Sequence, residues 1–253
     1  MRLLSWSWLL LSLGMLPGCF PQGDPSRPIP TTFVAAPQKA QRLVVVLPGR
    51  GDDVDGLARS GIAQAVQSAW PDADVILTGL ALGYYMQGQA ERRLHDEVIA
   101  PARERGYTQV WLAGASLGGM GALMYDRAHP NDVDGIVLLA PYLGEKPLLQ
   151  EIAAAGGINQ WKPRPAPAAV NADNFQYELW RHLQTWSRNP DKAKNVWLAY
   201  GNRDRLREAM PLLTPLLRPE QVLVRQGGHA WSVWSPATKD ILMRAETAKK
   251  TAR

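Results

Sequence analysis

Val110-Trp111-Leu112-Ala113, then Gly114-Ala115-Ser116-Leu117-Gly118, then Gly119-Met120-Gly121-Ala122-Leu123-Met124-Tyr125: the fold of this 253-residue chain turns on that stretch. The short apolar run reads as a strand, the Gly-x-Ser-x-Gly pentapeptide as a tight turn, and the residues after it as a helix. A strand-to-helix turn of this kind lifts the serine hydroxyl above the end of the strand. Its flanking glycines are needed because side chains there would collide with the turn and its neighbours.

Working outward, Leu43 to Leu47, Val75 to Leu77, Gly135 to Ala140, Val196 to Tyr200 and Val222 to Val224 are further strand candidates. Helical patterns lie between them, at about 54–69, 87–105, 117–128, 205–217 and 235–249. This alternation predicts an α/β domain over residues 41–253, built on a doubly wound, mostly parallel sheet. With 253 residues, 46% of them hydrophobic, the chain can bury a substantial core. More than fifty residues separate the strand ending at Ala140 from the one starting near Asn195, too many for an ordinary connection. Residues 144–192 are therefore expected to form a helical, cap-like insertion, with Phe175, Tyr177, Trp180 and Trp186 as apolar walls of a pocket. The alternative is a packing excursion that covers the sheet.

Two later strand ends carry chemistry. Asp204 follows Val196 to Tyr200 through Gly201-Asn202-Arg203, and His229 follows Val222 to Val224 through Arg225-Gln226-Gly227-Gly228. Strand ends of a parallel sheet share one edge, so Ser116, Asp204 and His229 are expected to meet there, in the chain order Ser, Asp, His. Asp191 precedes its strand and is a poor rival for Asp204. His95 lies in a charged helical stretch, His129 precedes Pro130, and His182 sits in the insertion, so all three read as solvated or packing residues.

On these motifs, together with Leu47-Pro48-Gly49-Arg50-Gly51, residues 41 to 245 resemble the α/β-hydrolase superfamily of serine hydrolases. The small esterases, thioesterases and lysophospholipases are the members to which the chain is most similar. The resemblance implies that Ser116 attacks an acyl carbon, that His229 takes and returns its proton, and that Asp204 orients the imidazole. It also implies an oxyanion hole made by the backbone N–H groups of Leu117 and Arg50. Many relatives carry His-Gly where this chain has Pro48-Gly49, a difference that leaves a main-chain donor possible. The expected activity is hydrolysis of a carboxylic ester or thioester through an acyl-enzyme, on a small-molecule or lipid-like substrate and with no cofactor or metal. The alternatives are an acyltransferase using the same residues, or a non-catalytic envelope lipoprotein that binds a ligand.

Composition excludes other classes. The net charge of +5 comes from cations interleaved with acids, as in Arg203-Asp204-Arg205-Leu206-Arg207-Glu208, and not from a nucleic-acid-binding stripe. Gly79-Leu80-Ala81-Leu82-Gly83 lacks the third glycine and the helix of a dinucleotide site. Oligomeric state is not legible. The single cysteine, Cys19, excludes an internal disulfide. Arg2, the apolar run Leu3 to Leu16 and then Leu16-Pro17-Gly18-Cys19 resemble a bacterial lipoprotein signal, although Pro17 departs from the usual small or β-branched residue. That resemblance implies removal of residues 1–18, lipidation of Cys19 and a membrane-anchored envelope location. Without lipidation the chain would be periplasmic or secreted. Residues 19–40, rich in proline, read as a tether.

Overall fold

The computed structural model describes residues 22–251. Along the chain run β1 (Thr31–Val34), β2 (Arg42–Leu47), β3 (Ala73–Thr78), β4 (Gln109–Ala115), β5 (Gly135–Leu139), β6 (Val196–Gly201) and β7 (Val222–Arg225). They form one sheet in the order β1-β3-β2-β4-β5-β6-β7. Every pair from β3 to β7 is parallel, so those strands all end along one edge. The chain steps from β2 to β3 on one side, then returns to β4 on the other side of β2. Loops splay apart at such a reversal and leave a crevice for a ligand.

The central strands are apolar throughout because both faces of the sheet are covered. Leu43, Val45 and Leu47 enter one core, while Val44 and Val46 enter the other. The helices are α1 (Val54–Arg59), α2 (Ile62–Ala69), α3 (Leu82–Met86), α4 (Ala90–Leu94), α5 (Ala100–Glu104), α6 (Leu117–Ala128), α7 (Lys146–Ala154), α8 (Phe175–Arg188), α9 (Met210–Leu213) and α10 (Trp231–Thr251). The expected helix over 54–69 is broken at Gly61, whose φ of 76° takes the chain out of α1 and into α2. A π-helical turn, His95–Ile99, joins α4 to α5 in one run. The 205–217 pattern resolves into α9 flanked by short 3-10 turns.

Two expectations need correction. Residues 22–40 are the described part of the expected tether, and much of that stretch is docked. Thr31–Val34 pairs antiparallel with Val75–Thr78 and forms the sheet's first edge. Upstream, Arg93 donates to the carbonyls of Pro25 and Arg27, and the Ile29 N–H donates to Glu97 at 2.7 Å. The cause is the open edge of β3, whose backbone groups need partners that a β-branched Thr-Thr-Phe-Val segment can supply. The insertion does hold helices α7 and α8, but Trp180 and Trp186 are buried in the main core with Leu179 and Leu183. Trp180 Nε1 donates to the Leu143 carbonyl at 2.6 Å. These rings are core rather than pocket wall, since α8 packs against α6 along an amphipathic face. The expected signal at residues 1–18 and Cys19 lie outside the described residues.

Candidate active site

Ser116 leaves β4 with φ 52° and ψ −110°, a backbone conformation in which an L-residue is strained. Tertiary contacts hold it there. Its N–H donates to the Leu139 carbonyl at 2.9 Å, and its own carbonyl accepts from Tyr142 N–H at 2.9 Å. A methyl group on Gly114 would come within 2.2 Å of the Gly118 carbonyl oxygen, and one on Gly118 within 2.4 Å of the Leu47 oxygen. Both glycines are therefore steric necessities, as the pentapeptide implied. Leu117 opens α6, so its N–H lies outside the helical hydrogen-bond ladder.

Asp204 is fully buried just past β6, and His229 lies just past β7. His229 Nδ1 is 2.9 Å from Asp204 Oδ1 and 3.0 Å from Oδ2, and Leu206 N–H donates to the same Oδ1 at 2.8 Å. Nδ1–H donation to the carboxylate leaves Nε2 as an acceptor. Nε2 is buried and has no hydrogen-bond partner among the described residues. The two loops are stitched together by Asn202 N–H to the Arg225 carbonyl at 2.7 Å, Arg203 N–H to the Gly227 carbonyl at 2.9 Å, and Gly227 N–H to Asn202 Oδ1 at 3.1 Å. Trp234 stands edge-on to the imidazole, with centroids 4.6 Å apart.

The loop after β2 closes the other side. Gly49 to Asp52 is a turn, with Asp52 N–H donating to the Gly49 carbonyl at 3.1 Å and Arg50 as its second residue. A methyl on Gly49 would sit 3.8 Å from Ser116 Cβ, so this turn abuts the serine. The Asp52 carboxylate accepts from Gly49 N–H at 3.2 Å and from Trp231 Nε1 at 3.1 Å. Burial pushes the Asp52 carboxyl above the ordinary carboxylate range, opposed by these two hydrogen bonds and by nearby His229. Sequence reasoning passed over Asp52 and Asn202, because an acid or amide in a Gly-rich loop carries no periodic signal. Asp52 was detectable only as a polar residue four positions past Pro48.

The remaining histidines fall elsewhere. His182 Nε2 pairs with Asp126 at 2.7 Å. His95 and His129 stack at 4.4 Å and 5° beside Asp132 and Tyr125. Ligand atoms of His95, His129 and Asp132 lie within 4.8 Å of one another. Parallel rings stacked face to face cannot both direct an in-plane lone pair at one ion, so the arrangement is a hydrogen-bonded knot. Tyr84 is buried beneath residues 23–28, and the Tyr85 hydroxyl abuts Gly121. A cavity of about 340 Å³ between Trp186, Lys194, Leu216 and Gln221 lies at the opposite edge of the sheet from Ser116.

A doubly wound, mostly parallel sheet with a serine on a strained strand-to-helix turn defines an α/β-hydrolase. Residues 88–245, more than half of the chain, match the family Esterase, described as "Putative esterase". The chain belongs to that family and is an ester-hydrolysing enzyme. Among solved structures it is similar to Est1E from Butyrivibrio proteoclasticus, with a TM-score of 0.60, 11% identity, and 88% of this chain and 94% of that one covered. It is similar also to the fluorophosphonate-binding serine hydrolase FphF of Staphylococcus aureus, with a TM-score of 0.58, 13% identity and 86% and 98% covered. MPT51 of Mycobacterium tuberculosis shares the fold with a TM-score of 0.57, 19% identity and 85% and 92% covered. These are likenesses of fold. No curated protein matches the sequence.

Proposed function

We propose that this esterase works as a serine hydrolase through an acyl-enzyme on Ser116. His229 Nε2 takes the Ser116 proton as Oγ attacks the acyl carbon, then returns it to the leaving alcohol or thiol. Water repeats the sequence in reverse and frees the acid. Asp204 holds the imidazole tautomer and stabilises its cation. The Leu117 and Arg50 amide N–H groups donate to the oxyanion, each contributing about 3 kcal/mol of transition-state stabilisation. The observation that carries this reading is the Asp204–His229 pair, whose buried Nε2 is left unpaired on the sheet edge that also bears Ser116. Nε2 makes no hydrogen bond to Ser116 among the described residues; such catalytic contacts tighten when substrate binds.

The substrate is a carboxylic ester or thioester. Hydrolysis of p-nitrophenyl esters across chain lengths, with Ser116→Ala as control, tests the mechanism. An active wild type and a dead variant support it. A folded wild type that is inert on every ester and unlabelled by fluorophosphonate overturns it. Adding an alcohol acceptor and measuring ester product separates acyl transfer from hydrolysis.

The same reading includes export and lipidation at Cys19. It is supported by Leu16-Pro17-Gly18-Cys19. The Gln22 carbonyl accepts from Gly83 N–H at 2.7 Å, just beyond the end of β3. Three residues span at most about 10 Å, so a lipid on Cys19 would hold that edge close to the bilayer. Incorporation of an alkyne-palmitate in cells, absent in Cys19→Ala, is the expected result.

A further inference from the structure

Asp52 is a partly buried carboxylate at the catalytic edge that the proposed acyl transfer does not consume. It closes the Gly49–Asp52 turn twice: its N–H donates to the Gly49 carbonyl at 3.1 Å, and its Oδ2 accepts the Gly49 N–H at 3.2 Å. The same Oδ2 accepts Trp231 Nε1 at 3.1 Å. Trp231 lies two residues past His229 and meets Trp234 edge-on at 5.3 Å, while Trp234 meets the His229 ring edge-on at 4.6 Å. One oxygen thus joins the loop after β2 to the start of α10, although Asp52 and Trp231 are 179 residues apart in the chain.

We propose that Asp52 is a positioning residue that fixes the Arg50 amide and the His229 ring relative to each other across Ser116, through Gly49 on one side and Trp231 on the other. The inference rests on the serine-hydrolase reading. Its physical basis is the loop's own composition. Gly49-Arg50-Gly51 has the backbone freedom of two glycines, and an oxyanion donor loses most of its effect when displaced by about 1 Å. A bond to an ionised acceptor is about twice as strong as a neutral one, so the carboxylate makes a firmer fastener than a neutral side chain would. The connection therefore serves the tetrahedral state, where the amide and the imidazolium act together, more than it serves substrate binding.

The test uses the full chain with Asp52→Ala, Trp231→Phe and the double variant. Trp231→Phe keeps an aromatic ring beside Trp234 while removing the Nε1 donor together with part of the indole. The expected result is a kcat about 30-fold lower for Asp52→Ala and about fivefold lower for Trp231→Phe, each with KM within about twofold of wild type. The double variant is expected to match Asp52→Ala alone, since Trp231 acts through that carboxylate. Affinity for a trifluoromethyl ketone, which mimics the tetrahedral state, should fall by the same factor as kcat/KM, while affinity for the product acid stays level. Asp52→Asn keeps one acceptor oxygen and should recover part of the rate. Wild-type kcat in Asp52→Ala overturns the assignment. So does a loss shared equally by ketone and product acid, or strict additivity in the double variant. A folded wild type without esterase activity or fluorophosphonate labelling overturns the serine-hydrolase reading itself, whereas an active wild type matched by Asp52→Ala overturns this inference alone.

Discussion

The edge where the parallel strands end carries strained backbone and an unmet imidazole nitrogen; the edge where they begin carries polar side chains that hold several partners each. At the ending edge Ser116 sits at φ 52° and Ala140 at φ 43°, and His229 Nε2 is buried without a partner. At the starting edge several polar side chains have more than one partner, although the Trp111 and Trp197 Nε1 groups are buried without one. Gln221 Nε2 donates to the carbonyls of Ala193, Lys194 and Val196 at 2.9, 3.1 and 2.6 Å. Asp134 accepts from Val110 N–H and from Arg103, both at 2.8 Å. Asp74 accepts from Ala36 N–H at 2.7 Å and from the Tyr107 hydroxyl. Imidazole–carboxylate pairs occur away from the catalytic edge too, at His182–Asp126 and His95–Asp132. What sets the Asp204–His229 pair apart is its place: its buried Nε2 lies on the strand-end edge that also carries Ser116.

Four substitutions can break or sharpen this contrast. Ser116→Ala should lower kcat by about 10⁴- to 10⁶-fold without lowering the melting temperature, because the strained turn is held by backbone bonds and not by the hydroxyl. A steady-state assay beside a thermal melt checks both halves. Asp204→Asn should cost about 10⁴-fold in kcat through the wrong imidazole tautomer, with the fold intact because the amide can still accept from Leu206 N–H. Crossing to the other edge, Gln221→Ala should leave kcat within about twofold and lower stability by about 2 kcal/mol, since it strands buried carbonyls. Urea unfolding would measure the loss, and a large fall in activity would erase the division of labour between the edges.

The smallest effect is in pH dependence. Burial, then the hydrogen bond to Asp74, pushes the Tyr107 hydroxyl up to about 12. The unfolded phenol titrates near about 10, so its contribution to stability is fully present below that pH and is lost as pH rises through about 12. Tyr107→Phe should flatten the melting-temperature profile in that alkaline window and leave esterase activity at neutral pH unchanged. A profile identical to wild type would remove Tyr107 from the tied-off edge.

Much of the strand-end edge was legible in residue order. Gly114 to Gly118 announced the turn because only glycines tolerate the approach of Gly118 and Leu47 backbone oxygens, and that constraint is written in the residue types. Val44 to Val46 announced a strand covered on both faces, because a continuous apolar run has no other stable place. The docked Thr31–Val34 was missed because a four-residue edge strand carries too little periodicity to stand out among prolines. Trp180 and Trp186 were misread as pocket walls. Aromatic residues at helical spacing suit a cap and a core equally well, and only α6 lying beneath α8 distinguishes the two.

Local sterics and hydrophobic period, both properties of neighbouring residues, thus determined the sheet, the serine turn and the order Ser116, Asp204, His229. Tertiary structure alone decided that Asp52 meets Trp231, that His229 Nε2 stays unpaired, and that Thr31–Val34 completes the sheet and does not trail from it. Those outcomes depend on which distant backbone edge or polar atom still lacks a partner after the core has closed, a quantity that no stretch of sequence contains.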